Sequence, residues 1–312
     1  MSEIVTFGET MAVMAPGQKG KLSSVSDFSL QIAGAESNTA VGVSRLGHTA
    51  SWISAVGDEE LGRFVVDKIK CEGVDTSLVK IDNKHRTGLM IKEIVEDKTT
   101  VYYYRENSAL SNMSMDDIKT DSLLDSKIIH FTGITPVLSK SCRAAVIELM
   151  GWARENGKII SFDPNIRRKI WNGVDYLPLL SEMLEFSDIA LLGLSEAREL
   201  YGIDDVREIA KNILEKGVSI VVIKDGANGA YCANREEFLF IPPIKCNPVD
   251  SVGAGDGFNA GFLTAVLENK SLLEAGRMGA VVGAMATETV GDVNGYPTKE
   301  EMAQRLFEEF GN

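Results

Sequence analysis

Short apolar runs alternate with amphipathic segments over the middle of the chain. Strands are predicted at 128–132, 159–163, 189–192 and 218–223, and helices at 141–155, 195–201 and 206–215. The strand segments are apolar at consecutive positions, which is typical of strands covered by helices on both faces. This order of elements predicts an α/β protein with a three-layer α/β/α core and a mainly parallel sheet.

Two regions, at about 10–35 and 85–107, have a different pattern. Segments 88–93 and 101–104 are strand-like and separated by polar residues, with no helical segment between them. Such strands do not join a parallel core easily, so we predict a small antiparallel β sheet that projects from it. The sheet would form a lid over the ligand crevice, which in α/β folds lies at the carboxyl ends of the strands. We expect residues 1–312 to form one domain that carries this lid.

Composition narrows the class of protein. The 312 residues carry a formal net charge of −13, which argues against a nucleic-acid-binding surface. No segment approaches the ~18 consecutive apolar residues of a membrane helix, and residues 1–8 resemble no leader peptide. The four cysteines lack C-x-x-C spacing and are expected to be reduced thiols. We therefore expect a cytoplasmic protein with small-molecule ligands, and neither nucleic acid nor membrane as a partner.

The run D-S-V-G-A-G-D-G-F at 250–258 carries the first candidate chemistry. Its three glycines allow backbone N–H groups to approach an anion closely, and a helix predicted at 258–267 directs its N-terminus at the same anion. A carboxylate at Asp256 is unsuited to binding phosphate but suited to taking a proton from a nucleophile that attacks it. The alternative is that Asp256 only caps the helix.

Other polar segments follow predicted strands or precede helices. The segment K-D-G-A-N-G-A at 224–230 is either an ordinary tight turn or a glycine turn against a nucleotide, with Lys224 near the phosphates. Gly34, Glu36 and Asn38 precede a helix predicted at 39–45. They suit a polyhydroxylated ligand, although capping alone would also explain them.

Together these motifs resemble the ribokinase-like (PfkB) family of carbohydrate kinases over essentially the whole chain. The segments G-A-E-S-N-T-A at 34–40, R-L-G at 45–47 and V-G-D at 56–58 resemble the N-terminal signature of the family, and 250–258 resembles its C-terminal signature. The resemblance implies a ribokinase-like fold, ATP as phosphoryl donor, Mg²⁺ as a partner and Asp256 as the base.

Two further segments resemble the 2-keto-3-deoxygluconate kinases of this family. These are Y-Y-R-E-N-S-A at 103–109 and D-P-N-I-R at 163–167, the latter followed by Trp171. Two arginines, Arg105 and Arg167, fit a substrate that carries a carboxylate, because a guanidinium can bind a planar oxyanion through two N–H groups. The alternatives are that Arg105 is a solvated strand residue and that Arg167 forms a structural ion pair.

The predicted activity is phosphoryl transfer from ATP to a primary hydroxyl of 2-keto-3-deoxygluconate. The alternatives are a fructokinase or ribokinase acting on a neutral sugar and, less favoured, a non-catalytic sensor of sugar or nucleotide. The sequence leaves open whether a monovalent cation such as K⁺ binds beside Asp250 and Ser251. The lid is expected to join copies of the chain into a homo-oligomer.

The resemblance also implies a set of site residues. The catalytic residues would be Gly253, Ala254, Gly255 and Asp256. The sugar would contact Gly34, Ala35, Glu36, Asn38, Leu89, Tyr103, Arg105, Ile134, Arg167, Asp256 and Asp292. ATP would contact Asn165, Arg167, Ser195, Lys224, Gly226, Ala227, Gly229, the 253–256 segment, Ala280 and Gly283. The family's N-x-x-E motif is matched to 195–199, where Glu199 is not expected to bind metal, so the protein ligands of Mg²⁺ stay unassigned.

Overall fold

The computed structural model describes residues 2–96 and 98–311, so residues 1, 97 and 312 of the predicted domain lie outside the described residues. The strands are β1 (Ile4–Phe7), β2 (Met11–Pro16), β3 (Phe28–Ala33), β4 (Ala50–Gly57), β5 (Val79–Asp82), β6 (Leu89–Val95), β7 (Lys98–Tyr104), β8 (Ile128–Thr132), β9 (Ile159–Asp163), β10 (Ile189–Gly193), β11 (Ile220–Lys224), β12 (Ala230–Ala233) and β13 (Phe238–Ile241). The α helices are α1 (Ala35–Arg45), α2 (Glu60–Cys71), α3 (Thr135–Leu138), α4 (Lys140–Glu155), α5 (Leu177–Glu185), α6 (Leu194–Tyr201), α7 (Val206–Glu215), α8 (Ala254–Leu267), α9 (Leu272–Thr287) and α10 (Lys299–Phe310).

The main sheet has the strand order β13-β12-β11-β10-β9-β8-β1-β4-β5. Its pairs are parallel except β11–β12 and β12–β13, which are antiparallel. Neighbouring residues of a strand point to opposite faces, so Ile128 belongs to one apolar layer and Ile129 to the other. Helices α1, α2 and α8–α10 cover the first layer, and α4–α7 cover the second. The predicted three-layer α/β/α core is confirmed.

The lid is a second sheet with the strand order β3-β2-β6-β7. The pairs β2–β3 and β6–β7 are antiparallel, as predicted, whereas the central pair β2–β6 is parallel. The parallel pair arises because β2 and β6 are each the first strand of a hairpin, and both hairpins enter the sheet in the same direction. Residues Met90 and Tyr103 face inward, while Leu89 and Tyr104 form the neighbouring pair on the outer face.

Two helices begin four residues earlier than the sequence pattern indicates. Helix α1 begins at Ala35 instead of 39, and α8 begins at Ala254 instead of 258. Glycines stand at both N-caps, and Gly253 has a φ of 78°, which a residue with a side chain rarely adopts. Asn38 and Asp256 therefore project from first helical turns. The helices pack closely, since a Cβ at Gly42 of α1 would lie 2.5 Å from Cβ of Ala260 in α8.

Within residues 2–96 and 98–311, no helix has the length and apolar character that crossing a membrane requires.

Candidate active site

A cavity of about 540 Å³ lies between the main sheet and the inner face of the lid. Asp163, Gly193 and Lys224, the last residues of β9, β10 and β11, line its floor, and Met90, Lys92, Val101 and Tyr103 of the lid line its roof. The cavity thus occupies the place where the parallel strands predicted a ligand crevice.

Asp256 lies in the first turn of α8 and opens toward this cavity. The residue is partly exposed, yet protein surrounds its carboxyl group, and this burial raises the pKa of Asp256 to about 7. The nearby charges of Asp163 and Asp292 raise it further, whereas a 2.8 Å hydrogen bond from Asn38 Nδ2 to Asp256 Oδ2 opposes the shift. A carboxyl group with such a pKa can accept a proton at neutral pH. Helix capping does not account for this side chain, because the N-cap is Gly253 and no side chain caps it.

Of the two glycines just before Asp256, only Gly253 lacks room for a side chain. A Cβ at Gly253 would lie 1.9 Å from the Asp292 carbonyl oxygen, whereas at Gly255 the nearest atom would be Lys224 Nζ at 3.8 Å. The first N–H groups of α8 have no carbonyl partners within the helix, and they lie at the positive end of its dipole. The first turn of α8 and the Lys224 ammonium therefore form a site suited to a phosphoryl group.

Lys224 is held by two side chains of the core. Its Nζ donates to Asp163 Oδ2 at 2.8 Å and to Asn259 Oδ1 at 2.9 Å, and Asn259 Nδ2 donates to Asp163 Oδ2 at 2.7 Å. Burial alone would raise the pKa of Asp163, but the Lys224 charge and these hydrogen bonds hold it below its usual range. The lysine is therefore held in place at the carboxyl end of β11.

Glu36 forms another part of the wall. Its Oε1 accepts from Thr132 at 2.6 Å and Thr135 at 2.8 Å, while the buried Oε2 has no partner among the described residues. Burial raises the pKa of this carboxyl. Gly8 provides the space, because a Cβ there would lie 2.0 Å from the Glu36 carboxyl carbon. The unpartnered oxygen suits a ligand hydroxyl.

The two predicted carboxylate-binding arginines differ in their surroundings. The Arg105 side chain is 10% exposed and contacts Glu9, so its interpretation as a solvated strand residue is wrong. Arg167 is exposed and lines the cavity, and its Nη1 donates to the Ile166 carbonyl at 3.2 Å. Within the described parts of the chain no carboxylate lies within ion-pair distance of Arg167, so the predicted alternative of a structural ion pair is not observed.

Comparison with known proteins decides the family. The model of the pfkB family of carbohydrate kinases matches residues 1–299. The chain belongs to this family. The kinase is 37% identical over 308 residues to a 2-dehydro-3-deoxygluconokinase of Bacillus subtilis (strain 168), covering 97% of this chain and 95% of that protein.

Solved structures agree with this assignment. The crystal structure of a PfkB protein from Polaromonas sp. JS666 is 33% identical, with a TM-score of 0.89 and coverage of 97% of this chain and 99% of that one. An uncharacterized sugar kinase from Pyrococcus horikoshii, solved in complex with ATP, is 27% identical, with a TM-score of 0.83 and coverage of 97% and 99%.

The kinase cavity brings together most of the residues predicted from the sequence. It is lined by Gly34, Ala35, Glu36, Asn38, Tyr103, Arg105, Ile134, Asn165, Arg167, Lys224, Gly253, Gly255, Asp256 and Asp292. The other predicted residues, Leu89, Ser195, Gly226, Ala227, Gly229, Ala254, Ala280 and Gly283, lie outside this lining.

Several of these outlying residues have a clear structural setting. Leu89 points away from the cavity, because a one-residue step along a strand reverses the side-chain direction, and it packs against the first apolar layer of the core. Gly226 and Gly229 form the tight turn between β11 and β12, with φ values of 53° and 106°. Gly283 packs α9 against α8, since a Cβ there would lie 3.1 Å from the Ala254 carbonyl oxygen.

The N-x-x-E motif, matched from the sequence to 195–199, also fits residues 193–196. Glu199 forms an ion pair with Arg168 and does not line the cavity, whereas Glu196 does. The Glu196 oxygens accept from Gly193 N at 2.8 Å and Ile166 N at 2.7 Å, and burial raises its pKa. The sequence signal was present: Gly193 ends β10, and Glu196 follows it at the motif spacing with Gly in place of Asn.

Some ionisable wall residues were not among the predicted site residues. They include Glu9, Lys92 and Asp163, although Asp163 begins the D-P-N-I-R segment noted in the sequence. Asn259, which donates to Asp163 Oδ2, was also not predicted. Asp163 ends β9, and Glu9 closely follows the end of β1. A polar residue at a strand end is only a weak indication of a ligand-binding role. Lys92 reaches Asp292 at 3.5 Å from the lid, a contact that no spacing in the sequence reveals.

Proposed function

We propose that this kinase transfers the γ-phosphoryl group of ATP to a primary hydroxyl of 2-keto-3-deoxygluconate, also called 2-dehydro-3-deoxygluconate. The observation that carries the proposal is an arginine held by an ion pair, Arg105, whose side chain is only 10% exposed and which lines the same cavity as Asp256. A guanidinium in this wall can bind the carboxylate of a sugar acid, a contact that a neutral sugar does not offer. The activity named for the Bacillus relative supports the same substrate.

In the proposed reaction Asp256 is the general base. The substrate hydroxyl gives its proton to the Asp256 carboxylate while its oxygen bonds to the γ-phosphorus, and the bond from that phosphorus to the bridging oxygen of ADP breaks. The N–H groups of Gly253, Ala254 and Gly255 stabilise the charge on the transferring group, with Lys224 alongside. Asp256 then releases its proton to solvent.

The sugar lies under the lid in this proposal. Asn38, Glu36 and Asp292 offer donors and acceptors to its hydroxyls, with Gly34, Ala35, Tyr103 and Ile134 completing the wall. Arg105 and Arg167 bind the carboxylate. Lid closure excludes water that would otherwise accept the phosphoryl group.

ATP as donor is supported by the solved complex of the Pyrococcus sugar kinase. We place its phosphates at the first turn of α8 and Lys224, and its adenosine part along the 224–229 turn toward α9.

Mg²⁺, when bound, neutralises phosphate charge. Asn165 Oδ1, which is buried in the wall without a partner, and the Glu196 carboxylate fit this ion directly or through water. No cluster of three metal-ligating side chains occurs in the described residues, so ATP and water would supply most ligands.

We also propose that two copies of the kinase associate through the outer face of the lid. This face carries Leu30, Tyr102 and Tyr104, which are 41%, 40% and 62% exposed. Cross-strand neighbours such as Met14 and Ile91 extend the apolar surface. Light scattering after gel filtration should give a dimer that Tyr104→Lys weakens, and a wild-type monomer would refute the proposal.

The substrate proposal is tested with a panel of sugars. Formation of ADP is measured with 2-keto-3-deoxygluconate, its C4 epimer, fructose, ribose and 3-deoxyfructose, the neutral analogue with a hydroxymethyl group in place of the carboxylate. We expect kcat/KM for the two acids to exceed that for the neutral sugars by at least about 100-fold. Equal turnover of fructose or ribose would show a neutral-sugar kinase, and no ADP with any sugar would favour a sensor.

A further inference from the structure

Glu9 and Arg105 connect the core to the lid inside the cavity wall. Glu9 lies between β1 and β2, and Arg105 directly follows β7. Arg105 Nε and Nη2 lie 2.7 Å and 2.6 Å from the same oxygen, Glu9 Oε2. The other oxygen, Oε1, accepts from the Ser108 hydroxyl. The Glu9 side chain is 2% exposed and that of Arg105 10% exposed, so the pair is nearly closed to bulk water.

The surrounding backbone leaves room for this arrangement. A Cβ at Gly88 would lie 2.9 Å from Glu9 Oε1 and 2.9 Å from Met11 Cγ. The bare backbone at Gly88 therefore keeps open the space that the Glu9 carboxylate occupies. The Tyr103 ring flanks the guanidinium with its centroid 5.8 Å from Arg105 Cζ. The guanidinium is thus restrained by a carboxylate and by an aromatic ring.

The donors of the guanidinium divide into two groups. Of its five N–H bonds, those directed at Glu9 belong to the Nε and Nη2 edge, and Nη1 takes no part in the pair. Because the pair is electrically neutral, Glu9 adds no attraction for an anion. Its contribution is the fixed direction of the remaining N–H groups, which lowers the orientational cost of binding a planar oxyanion.

We propose that Glu9 is a positioning residue: it fixes Arg105 for the carboxylate of the substrate and thereby sets the preference for acidic over neutral sugars. The proposal rests on the proposed function. Removing the Glu9 charge distinguishes this role from a purely electrostatic one, because the two roles predict opposite changes in KM for the acidic sugar. If Glu9 acted only as a negative charge, removing that charge would strengthen the binding of an anionic sugar.

The first measurement is KM and kcat of Glu9→Gln with 2-keto-3-deoxygluconate and with 3-deoxyfructose. The amide keeps the shape of the side chain but removes the charge that holds the guanidinium. We expect KM for the acid to rise roughly ten-fold or more, with kcat and the kinetics of 3-deoxyfructose nearly unchanged. An unchanged or lower KM for the acid overturns the proposal.

A double-mutant cycle shows whether Glu9 acts through Arg105. In an Arg105→Ala background, Glu9→Gln should raise KM for the acid no further. An equal further rise would show that Glu9 acts by another route, which overturns the positioning role while leaving the proposed function intact. If Arg105→Ala alone leaves the preference for the acid unchanged, the carboxylate assignment and the role of Glu9 both fail.

Controls separate this role from general stability. Glu72→Gln removes a comparable partner from Arg45, whose Nε lies 2.8 Å from Glu72 Oε2 outside the cavity, and should leave KM for both sugars unchanged. If Glu9→Gln does not fold, Ser108→Ala frees Glu9 Oε1 and keeps both charges. It should raise KM for the acid by about two- to five-fold. An unchanged KM in that variant overturns the proposal.

Discussion

The part of the cavity wall around Asp256 and the part around Arg105 both present ionisable groups to a ligand, but they are built differently. Asp256 and its glycines are consecutive in the chain and form one helical turn. Arg105 and Glu9 are 96 positions apart and meet only where the lid joins the core. No cation among the described residues is bonded to the Asp256 carboxyl, and its pKa is raised to about 7, whereas the Arg105 guanidinium is bonded to a carboxylate.

This difference indicates a division of roles. A carboxyl with a raised pKa has a proton affinity suited to chemistry at neutral pH, so changes there should act on kcat. The Arg105 guanidinium is held by Glu9 and is assigned to binding the sugar, so changes there should act on KM and on discrimination between sugars. Variants in each part of the wall test whether the two roles are separate.

The largest effect is expected for Asp256→Asn. The amide preserves the size of the side chain and cannot accept the hydroxyl proton, so kcat should fall by about 10²–10⁴ with KM for both substrates little changed. ADP formation measures the loss. Asp205→Asn is the matched control, because Asp205 caps α7 and Asn caps a helix about as well. Near-normal turnover by Asp256→Asn would exclude it as the base.

A second large effect is expected for Gly253→Ala. The φ of 78° alone costs a residue with a Cβ about 1–2 kcal/mol, and the Cβ would also clash with the Asp292 carbonyl oxygen. Both Tm and kcat should fall, because the first turn of α8 must shift. Gly151→Ala in α4 is the control, since no described atom outside the adjacent residues and helix backbone lies within 4 Å of its Cβ position, and Tm should rise slightly. A Gly253→Ala variant with unchanged kcat would show that the position of this turn is unimportant.

Substitution of either arginine should have an intermediate effect on the preference for the acidic sugar, and the effect should be larger for the less exposed arginine. Arg105→Ala is expected to reduce the preference for 2-keto-3-deoxygluconate over 3-deoxyfructose by roughly 100-fold. Arg167→Ala should reduce it less, because this exposed side chain must be ordered by the ligand. The ratio of kcat/KM for the two sugars measures both. A larger effect at Arg167 would contradict the view that fixed orientation at Arg105 determines specificity.

The contrast between a site formed by consecutive residues and a pair formed by distant ones also explains which features the sequence alone could predict. Apolar strands predicted the three-layer core, and consecutive motifs identified Asp256 and Asn38 as candidate site residues, because these features depend on residues close in sequence. The starts of α1 and α8 were misplaced because glycines and polar residues are typical of loops, while the backbone at Gly34 and Gly253 begins a helix. The pairing of Glu9 with Arg105 depends on lid register and on strand ends, which no local pattern encodes.

The smallest expected effect is a shift of the pH profile at Asp256. Because the base must be ionised and the pKa of Asp256 is about 7 without ligand, kcat/KM should fall ten-fold per pH unit well below pH 7 and level off above it. The Asn38 hydrogen bond stabilises the ionised carboxylate and so lowers this pKa. Asn38→Ala should therefore move the acidic limb to higher pH, in addition to any change in sugar binding. Glu9→Gln is the matched comparison and should leave the limb in place, since Glu9 is bonded to Arg105 and Ser108 rather than to Asp256. If both variants move the limb equally, the two parts of the wall are coupled and their roles are not separate.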